Sequence, residues 1–399
     1  MHYNLLPREE ARATDYDVRE QMAGLGSNLP RILGKLFQAF LTWITGKPHR
    51  GQTPFIRLNS VHHFWLTLLC LFLGVSISVF AIRRGHFYLL LLLPSLALTV
   101  SAQRKLFLSI VHGTLHGTFV RSARINRIVG DTITLLIFSP PYSYLYTAHV
   151  GKHHGKAFCT LEDPDAQALY AFGMRPGMKR DNLWKCFLRT MFSPRFHATF
   201  LWLRIQTNFR ISSPMRLIAV LVVGALTVLL LHRYHAWFAF AIAWLVPNIA
   251  GFQIAALVNF AGEHRWYSEP GKGSDRLRWY LQRTHGRFVG SRLPDRYLSG
   301  WQRYLAWLRW WFVLLFWHLP LRLMIIPADM PAHDHHHANV KGDWANAIYD
   351  RQRALEAGAP YTETWGVFKA IDLFFDELAQ LPPINKPSLQ HATIALMDM

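Results

Sequence analysis

The chain has 399 residues and a formal net charge of +19 at pH 7, from 43 Lys and Arg against 24 Asp and Glu. Hydrophobic residues make up 51% of the chain and charged residues only 17%, which excludes a disordered protein or one that coats nucleic acid. Its 3 cysteines, Cys70, Cys159 and Cys186, are too few and too scattered for a disulfide framework or a cysteine metal site. The positive charge and the 21 histidines are the features that need an explanation.

Residues 1–58 form a segment of mixed charge at the start of the chain. Its first 55 residues contain no short apolar stretch next to a basic start, so we expect no cleavable signal. Within it, apolar residues recur at helical spacing, with Arg31, Lys35 and Gln38 on the other faces. These apolar residues are Leu33, Leu36, Phe37, Phe40, Leu41 and Ile44. The pattern predicts an amphipathic helix, either lying in a membrane interface or packed on the rest of the protein.

Four apolar stretches predict membrane spans that are arranged as two hairpins. Residues 61–82 have no acidic or basic side chain after an opening histidine pair, and at about 1.5 Å per residue they cross a hydrocarbon core of about 30 Å. Residues 86–102 can return after a short basic turn, and residues 217–231 and 236–260 repeat the arrangement. Soluble helices need a polar face, which these stretches lack. The sequence therefore predicts an all-α integral membrane bundle of about four spans plus interfacial helices.

The positive charge is concentrated in stretches that lie on one side of these spans. Residues 175–216 contain nine basic residues and one acid, and residues 272–296 contain seven basic residues. With four spans, the N-terminus, residues 103–216 and everything after about residue 261 fall on the same side. Basic residues gather on the cytoplasmic side, where they meet anionic headgroups, so this side is expected to be the cytoplasm. No nucleic-acid-binding motif accompanies the charge, and we expect no nucleic-acid partner.

Residues 305–326 are apolar and rich in tryptophan, but Arg309, His318, Pro320 and Arg322 interrupt them. A span at this place would put the histidines that follow on the opposite side of the membrane from all the earlier ones. An interfacial or re-entrant helix, with Trp and Arg at headgroup depth, is therefore expected.

Ten of the 21 histidines occur in four boxes, all on the predicted cytoplasmic side and just beyond the ends of spans. The boxes consist of His112 and His116; His149, His153 and His154; His264; and His333, His335, His336 and His337. The first two boxes contain pairs at i and i+4, which lie on one face of a helix, so both rings can reach one metal. One such pair is a weak signal. Three clusters and a fourth histidine on the same face predict a metal centre.

The number of imidazoles exceeds the three or four ligands of one tetrahedral zinc. About nine candidate ligands suit two metals with open positions. Iron that binds oxygen fits this nitrogen-rich set, although copper and zinc also accept imidazole. Acidic residues beside the boxes could orient the ligating rings, or they could be ordinary loop acids near a basic face. These acids are Glu162, Asp163, Asp165, Glu263 and Asp334.

The order and spacing of the boxes resemble the membrane fatty acid desaturase and hydroxylase superfamily, which also includes alkane monooxygenases and carotenoid ketolases. The resemblance covers residues 60–340 and implies that nine histidines hold two iron ions (Fe2+/Fe3+), with His335 as the spare member of the last box. The implied ligands are His112, His116, His149, His153, His154, His264, His333, His336 and His337. The predicted architecture is then a membrane bundle with a cytoplasmic cap built from histidine boxes.

Two local features extend the resemblance. The sequence EDPDA at residues 162–166 is similar to the second-box region of alkane monooxygenases and ketolases. Asn259 is similar to the asparagine of the Asn…His element of desaturases, but it precedes His264 by five residues rather than four. On a helix that offset turns the two side chains apart by about 100°, so Asn259 is expected beside the ligands rather than among them. Asp163, Asp165, Glu263 and His335 are expected in the same supporting position.

The resemblance implies an oxidoreductase that uses O2 on alkyl chains, and desaturation of a fatty acyl chain is the expected reaction. Only two clear spans precede the first box, which resembles desaturases more than alkane monooxygenases. Hydroxylation of a fatty acid or alkane, and oxidative decarboxylation of a fatty acid to a terminal alkene, remain open because they would share ligands and oxidant. A metal transporter is a remote alternative, since transport would place ionisable ligands at mid-membrane, where these spans have almost none.

No C-x-x-C pair and no fused electron-transfer domain are apparent, so we expect a separate electron donor of ferredoxin or rubredoxin type. The expected substrate is a fatty acid or acyl thioester, and the expected location is a bacterial inner membrane or its equivalent, with the active site facing the cytoplasm. The predicted segments are a cytoplasmic N-terminal segment at 1–58, a catalytic domain at 59–340 and a cytoplasmic tail at 341–399. The tail carries no functional prediction.

Overall fold

The computed structural model describes residues 18–271 and 275–384, so predictions that fall on residues 1–17 and 385–399 lie outside the described chain. The described residues are mostly helical, and they include a parallel pair of strands, Gly286–Phe288 and Glu363–Trp365. The helices up to the second hairpin are Arg31–Thr45, Ser60–Arg84, His86–Leu115, Ala123–Leu136, Tyr142–Leu145 continuing as Tyr146–His153, Pro164–Ala171, Arg180–Met191 and Pro194–Phe209. The later helices are Pro214–Arg233, Trp237–Glu263, Arg276–Arg283, Gly300–Val313 continuing as Leu314–His318 and Leu319–Met324, Met330–Ala332, His333–Ala338, Trp344–Asn346, Ala347–Glu356 and Val367–Gln380.

Four of these helices are long and apolar enough to cross a membrane, which confirms the predicted spans. They are Ser60–Arg84, His86–Leu115, Pro214–Arg233 and Trp237–Glu263. Asn59 caps the first of these helices, just before Ser60. Its side chain accepts a hydrogen bond from the His62 backbone N–H, and the His62 ring accepts one from the Asn59 N–H. This reciprocal cap ends the polar N-terminal segment at the start of the span. The chain is an integral membrane protein.

The first two spans pack closely through small residues. A Cβ atom placed on Gly74 would lie 2.5 Å from Thr99 Oγ1 and 3.0 Å from the carbonyl oxygen of Ser95. Nearby, the hydroxyls of Ser78 and Ser95 are 2.8 Å apart and form a buried hydrogen bond. In a membrane, small residues let helix backbones approach each other and hydroxyls can bond between helices. Gly74 therefore fixes the spacing of the hairpin that carries the first histidine box.

We expect Gly74→Ala to lower the stability of the protein by roughly 1–3 kcal/mol, because the added methyl group overpacks the helix contact. Gly224→Ala is the matched control, since a Cβ atom there meets nothing within 4 Å among the described residues. Thermal unfolding of both variants in the same detergent measures the effect. Equal melting temperatures for the two variants would contradict this account of the hairpin.

The second and fourth spans continue directly into the predicted metal site. The second runs past its predicted end at residue 102 to Leu115, through a π-helical stretch at Leu106–Val111, so the first box lies on the same helix as the span. The fourth ends at Glu263, next to His264. Helix Val367–Gln380, from the segment expected to be a tail, packs against the end of the fourth span with Phe375 fully buried. Two membrane helices thus position histidines at one end of the bundle.

The expected amphipathic helix is confirmed as helix Arg31–Thr45. Its C-terminal half packs on the protein, where Leu41 and Ile44 are buried with Trp310 and Leu314 of the tryptophan-rich helix. Its N-terminal half leaves Ile32 67% exposed, as an interfacial helix requires. The tryptophan-rich segment is not one of the four candidate spans, and its interfacial position stays a prediction.

Candidate metal centre

Nine of the ten boxed histidines come together in two adjoining groups, each of which could hold a metal ion. The five-histidine group consists of His112, His116, His149, His154 and His336. The four-histidine group consists of His153, His264, His333 and His337. Within each group the candidate ligand atoms all lie within 4.8 Å of one another. The nine are the same residues that the sequence singles out, and three of the four boxes supply the five-histidine group.

The second box is divided between the two groups. The sequence had led us to expect that its i,i+4 pair, His149 and His153, would share one metal. His149 and His154 belong to the five-histidine group, whereas His153 belongs to the other. The π-helix Tyr146–His153 ends at His153, and His154 follows outside it. The His154 carbonyl accepts hydrogen bonds from the Tyr280 hydroxyl at 2.9 Å and from Arg276. The rings of His153 and His154 are therefore nearly perpendicular and can serve different metals.

The last box is divided in the same way. His336 joins the five-histidine group, and His333 and His337, one helical turn apart, join the four-histidine group. His335 lies outside both groups, and its Nδ1 is 2.8 Å from the Tyr361 hydroxyl. A supporting role for His335 at this contact stays a prediction.

The donor atoms of the two groups are suited to a metal. Seven of the nine histidines have a buried ring nitrogen without a hydrogen-bond partner among the described residues. His154 Nε2 lies 3.2 Å from His336 Nε2, and His337 Nε2 lies 3.1 Å from His333 Nε2. Burial, reinforced by neighbouring imidazoles, lowers the pKa of His149, His154, His264, His333, His336 and His337. Buried, neutral and converging imidazole nitrogens are the form that binds a metal ion.

Asp163 contacts the His153 ring, and the supporting role expected for it stays a prediction. The Asp163 Oδ2 atom is 2.9 Å from His153 Nδ1 and also accepts a hydrogen bond from the Cys159 N–H at 2.9 Å. Burial acts to lower the pKa of His153, but the Asp163 charge and hydrogen bond outweigh it and raise that pKa to about 9. In the neutral ring that binds a metal, the hydrogen bond to Asp163 keeps the proton on Nδ1 and leaves Nε2 free to face the group. Asp165 Oδ2 lies 3.6 Å from the same Nδ1, whereas Glu162 is exposed.

Glu263 and Asn259 lie beside the four-histidine group. Glu263 Oε1 is 3.2 Å from His333 Nε2, and its Oε2 accepts a hydrogen bond from Asn259 Nδ2 at 2.9 Å. Asn259 Oδ1 in turn accepts one from Arg287 Nη1 at 3.2 Å. Both ends of the Asn259 amide are thus used by Glu263 and Arg287, and the position of Asn259 beside the ligands stays a prediction.

Arg351 supports the last box, and it was not predicted from the sequence. Its guanidinium donates to both carboxylate oxygens of Asp334, at 2.8 Å and 3.0 Å, and to Glu363 at 2.9 Å. Asp334 therefore anchors the box backbone through Arg351 and does not orient a ligating ring. The two acids raise the pKa of Arg351 above its ordinary value against the effect of burial, so the buried cation stays charged. Nothing in the sequence pattern of residues 341–399 marks this contact.

An apolar cavity of about 300 Å³ lies against both groups. Its apolar wall includes Phe107, Leu108, Leu145, Phe172, Phe200 and Phe260, and His112, His149, His153 and His333 line it from the metal side. Arg104, Arg204, Asp165 and Glu263 are its charged lining residues. A mainly apolar cavity with a few convergent polar groups is the usual form of a site for a small apolar molecule. Here such a molecule would lie directly against the histidines.

The model of one protein family, the fatty acid desaturases, matches residues 86–290, about half of the chain. The matched region contains six of the nine grouped histidines and ends before the last box. No curated protein matches the chain.

Proposed function

Because the chain belongs to the fatty acid desaturase family, we propose that it is a diiron oxidoreductase that uses O2 to introduce a double bond into a fatty acyl chain. The observation that carries the proposal is the apolar cavity in direct contact with two groups of imidazoles, seven of which have a buried ring nitrogen without a hydrogen-bond partner among the described residues. Family membership makes the protein an enzyme, and it leaves the metal-transporter alternative without support.

In this proposal the five-histidine group holds one iron and the four-histidine group holds the other. When bound, the two irons supply the activation of O2 needed to break an unactivated C–H bond, which no side chain can supply. The histidines provide neutral nitrogen donors, and Asp163 keeps the His153 proton on Nδ1. The cavity wall holds the alkyl chain against the site and keeps water from it.

The reaction balances with one external donor of electrons. Two hydrogen atoms leave neighbouring carbons of the acyl chain, and the donor supplies two electrons accompanied by two protons. O2 is thereby reduced to two molecules of water. The 3 scattered cysteines of this sequence do not form an iron–sulfur or rubredoxin-type site, and the proposal therefore includes a separate electron-donor protein.

The electron donor is proposed to be acidic and to dock on the basic, cytoplasmic side of the protein. Lys179, Lys185 and Arg189 are exposed there on or beside helix Arg180–Met191. Charge-steered docking weakens as salt is added, so turnover with a limiting ferredoxin or rubredoxin is expected to fall as KCl rises from about 50 to about 300 mM. A turnover rate that does not change with salt at limiting donor would argue against this docking mode.

A second candidate reaction, oxidation of a free fatty acid by hydroxylation or decarboxylation, is favoured by Arg104. This arginine lies on the second span, lines the cavity and is only 1% exposed. Its Nε donates to the Met324 carbonyl at 3.2 Å, whereas its Nη2 is buried without a partner among the described residues. A buried guanidinium without a close carboxylate is costly inside a membrane protein. A substrate carboxylate would supply the missing partner.

If Arg104 binds a substrate carboxylate, Arg104→Gln is expected to weaken binding of a free fatty acid by at least about 10-fold, the effect of losing one charged hydrogen bond. Binding of the fatty alcohol of equal chain length should change little. Arg83→Gln, at the exposed far end of the first span, is the control. Equal losses for acid and alcohol would mean that Arg104 supports the fold and does not recognise the carboxylate.

Product analysis distinguishes the candidate reactions. Purified protein with iron, O2 and a reduced carrier is offered C12–C18 acids and thioesters, and the products are identified by mass spectrometry. An internal alkene with retention of all carbons supports desaturation. An alcohol or a terminal alkene one carbon shorter supports the second candidate, and no O2-dependent product from any member of the panel would overturn both.

A further inference from the structure

A second cavity, of about 500 Å³, lies between helix Arg31–Thr45 and the loops on either side of it, and it shares no lining residue with the cavity at the metal centre. Its lining residues fall between positions 23 and 55, and we call it the basic groove because they include Arg31, Lys35 and His49 but no acidic residue. Arg31 and Lys35 are exposed, and neither forms an ion pair with another described residue. Such a lining favours an anionic ligand.

The polar side chains of the basic groove are fixed by hydrogen bonds. Gln38 Nε2 donates to the Leu25 carbonyl at 2.7 Å, and Gln52 Oε1 accepts from the Thr42 hydroxyl at 2.8 Å. These contacts join the loops on both sides of the groove to helix Arg31–Thr45. The groove therefore has a defined shape before a ligand binds, as sites for small molecules usually have.

A third cation, Arg19, lies behind two of the lining side chains. It is fully buried, and its Nη2 donates to Gln38 Oε1 at 2.9 Å and to Gln52 Oε1 at 3.1 Å. All its hydrogen bonds among the described residues go to uncharged oxygens. Burial lowers the pKa of Arg19 to about 10, which leaves the guanidinium charged at pH 7. Its charge adds to the positive potential of the groove.

The exposed cations of the groove have no carboxylate partner in the part of the chain that the structure describes. Arg31 and Lys35 are one helical turn apart, where like charges repel each other. Two acids, Glu20 and Glu356, contact the edge of the groove, but there they accept hydrogen bonds from backbone N–H groups. An anion bound between Arg31 and Lys35 would relieve the repulsion and accept charge-assisted hydrogen bonds from both.

Apolar side chains beside the groove indicate its depth in the membrane. Leu29 and Phe55 line it and are exposed, and the neighbouring Ile32 and Ile56 are 67% and 66% exposed. The first span begins at Ser60, only four residues after Ile56. Cations next to exposed apolar side chains at the start of a span are typical of contacts with lipid headgroups. The basic groove is therefore expected at headgroup depth.

We propose that the basic groove binds the phosphate headgroup of an anionic phospholipid from the surrounding bilayer, with Arg31 and Lys35 donating to the phosphate oxygens. The inference does not depend on the reaction at the metal centre. The headgroup of phosphatidylcholine carries its own cation, whereas phosphatidylglycerol has a net negative charge. The groove should therefore prefer phosphatidylglycerol, which would hold residues 23–55 against the membrane surface.

The test is a lipid titration of the purified full-length protein in detergent, followed by native mass spectrometry. Phosphatidylglycerol and phosphatidylcholine with identical acyl chains are compared. We expect the first phosphatidylglycerol to bind with a Kd about 10- to 30-fold lower than phosphatidylcholine, the effect of two cations near a headgroup. Arg31→Gln combined with Lys35→Gln should remove this preference. Lys185→Gln combined with Arg189→Gln removes two exposed charges that are also one turn apart, and it should keep the preference.

Equal affinity of wild type for the two lipids, or a preference that survives in the Arg31→Gln, Lys35→Gln variant, would overturn the inference. Inorganic phosphate tests for a soluble ligand: if it displaces phosphatidylglycerol at an equal concentration, the groove recognises free phosphate and the lipid assignment is wrong. If the double glutamine variant does not fold, Arg31→Lys combined with Lys35→Arg decides, because it keeps both charges. A retained preference in that variant supports the inference, and a lost one overturns it.

Discussion

Replacing His336 or His153 with alanine is expected to abolish turnover, because each removes one proposed ligand from a different group. His336 belongs to the five-histidine group and His153 to the four-histidine group. If turnover needs both metals, the two variants should lose activity to the same extent, although each removes a ligand from a different group. The loss should exceed the roughly 10- to 100-fold typical of residues that merely orient a ligand. O2-dependent product formation with a saturating electron donor measures the effect.

His335→Ala is the control for these variants. It lies in the same box as His336, but it contacts Tyr361 and belongs to neither group. We expect it to keep both metals and most of the activity, with some loss of stability from the broken buried hydrogen bond. An inactive His335→Ala beside an active His336→Ala would show that the two groups have been assigned wrongly.

The second large effect is expected at Asp163, which contacts no proposed metal directly. Asp163→Asn keeps the shape of the side chain but removes the charge that holds the His153 proton on Nδ1. It also removes at least one of three accepted hydrogen bonds, because Asp163 Oδ2 accepts from His153 and from the Cys159 N–H while Oδ1 accepts from the Asp165 N–H. Metal affinity or activity should fall by about 10- to 100-fold.

Glu162→Gln is the matched control for Asp163→Asn. It also removes one negative charge, but from an exposed side chain at the preceding residue. Chelator competition on the loaded protein measures metal retention in both variants. An Asp163→Asn variant that holds metal as firmly as Glu162→Gln would mean that His153 is fixed by packing alone.

The spans could be predicted from the sequence because a membrane helix needs only a continuous apolar run. The residues of the metal groups could be predicted as well, since pairs at i and i+4 meet on one face, as His112 and His116 do. The sequence could not predict which histidine belongs to which group. His153 and His154 are neighbours in the chain, and their separation depends on where a π-helix ends and on hydrogen bonds from Asp163 and Tyr280.

The arginines that contact the site could not be predicted from the sequence. Arg351 contacts Asp334 from a segment that was expected to be a tail. Arg287 contacts Asn259 from the strand Gly286–Phe288, in a stretch whose basic residues were interpreted as marking the cytoplasmic side. Arg104 lies just beyond the predicted end of the second span at residue 102, and the cavity that it lines is evident only in the structure. Long-range contacts of charged side chains leave no periodic mark in a sequence, because each depends on the fold that brings two distant segments together.

The proposal that two adjoining groups of histidines hold two irons against an apolar cavity can be tested by the iron content of wild-type protein, purified and analysed without oxygen. It predicts about two iron atoms per chain, with O2-dependent oxidation of an added acyl substrate by the same preparation. One metal per chain, or zinc in place of iron in an active preparation, would contradict it.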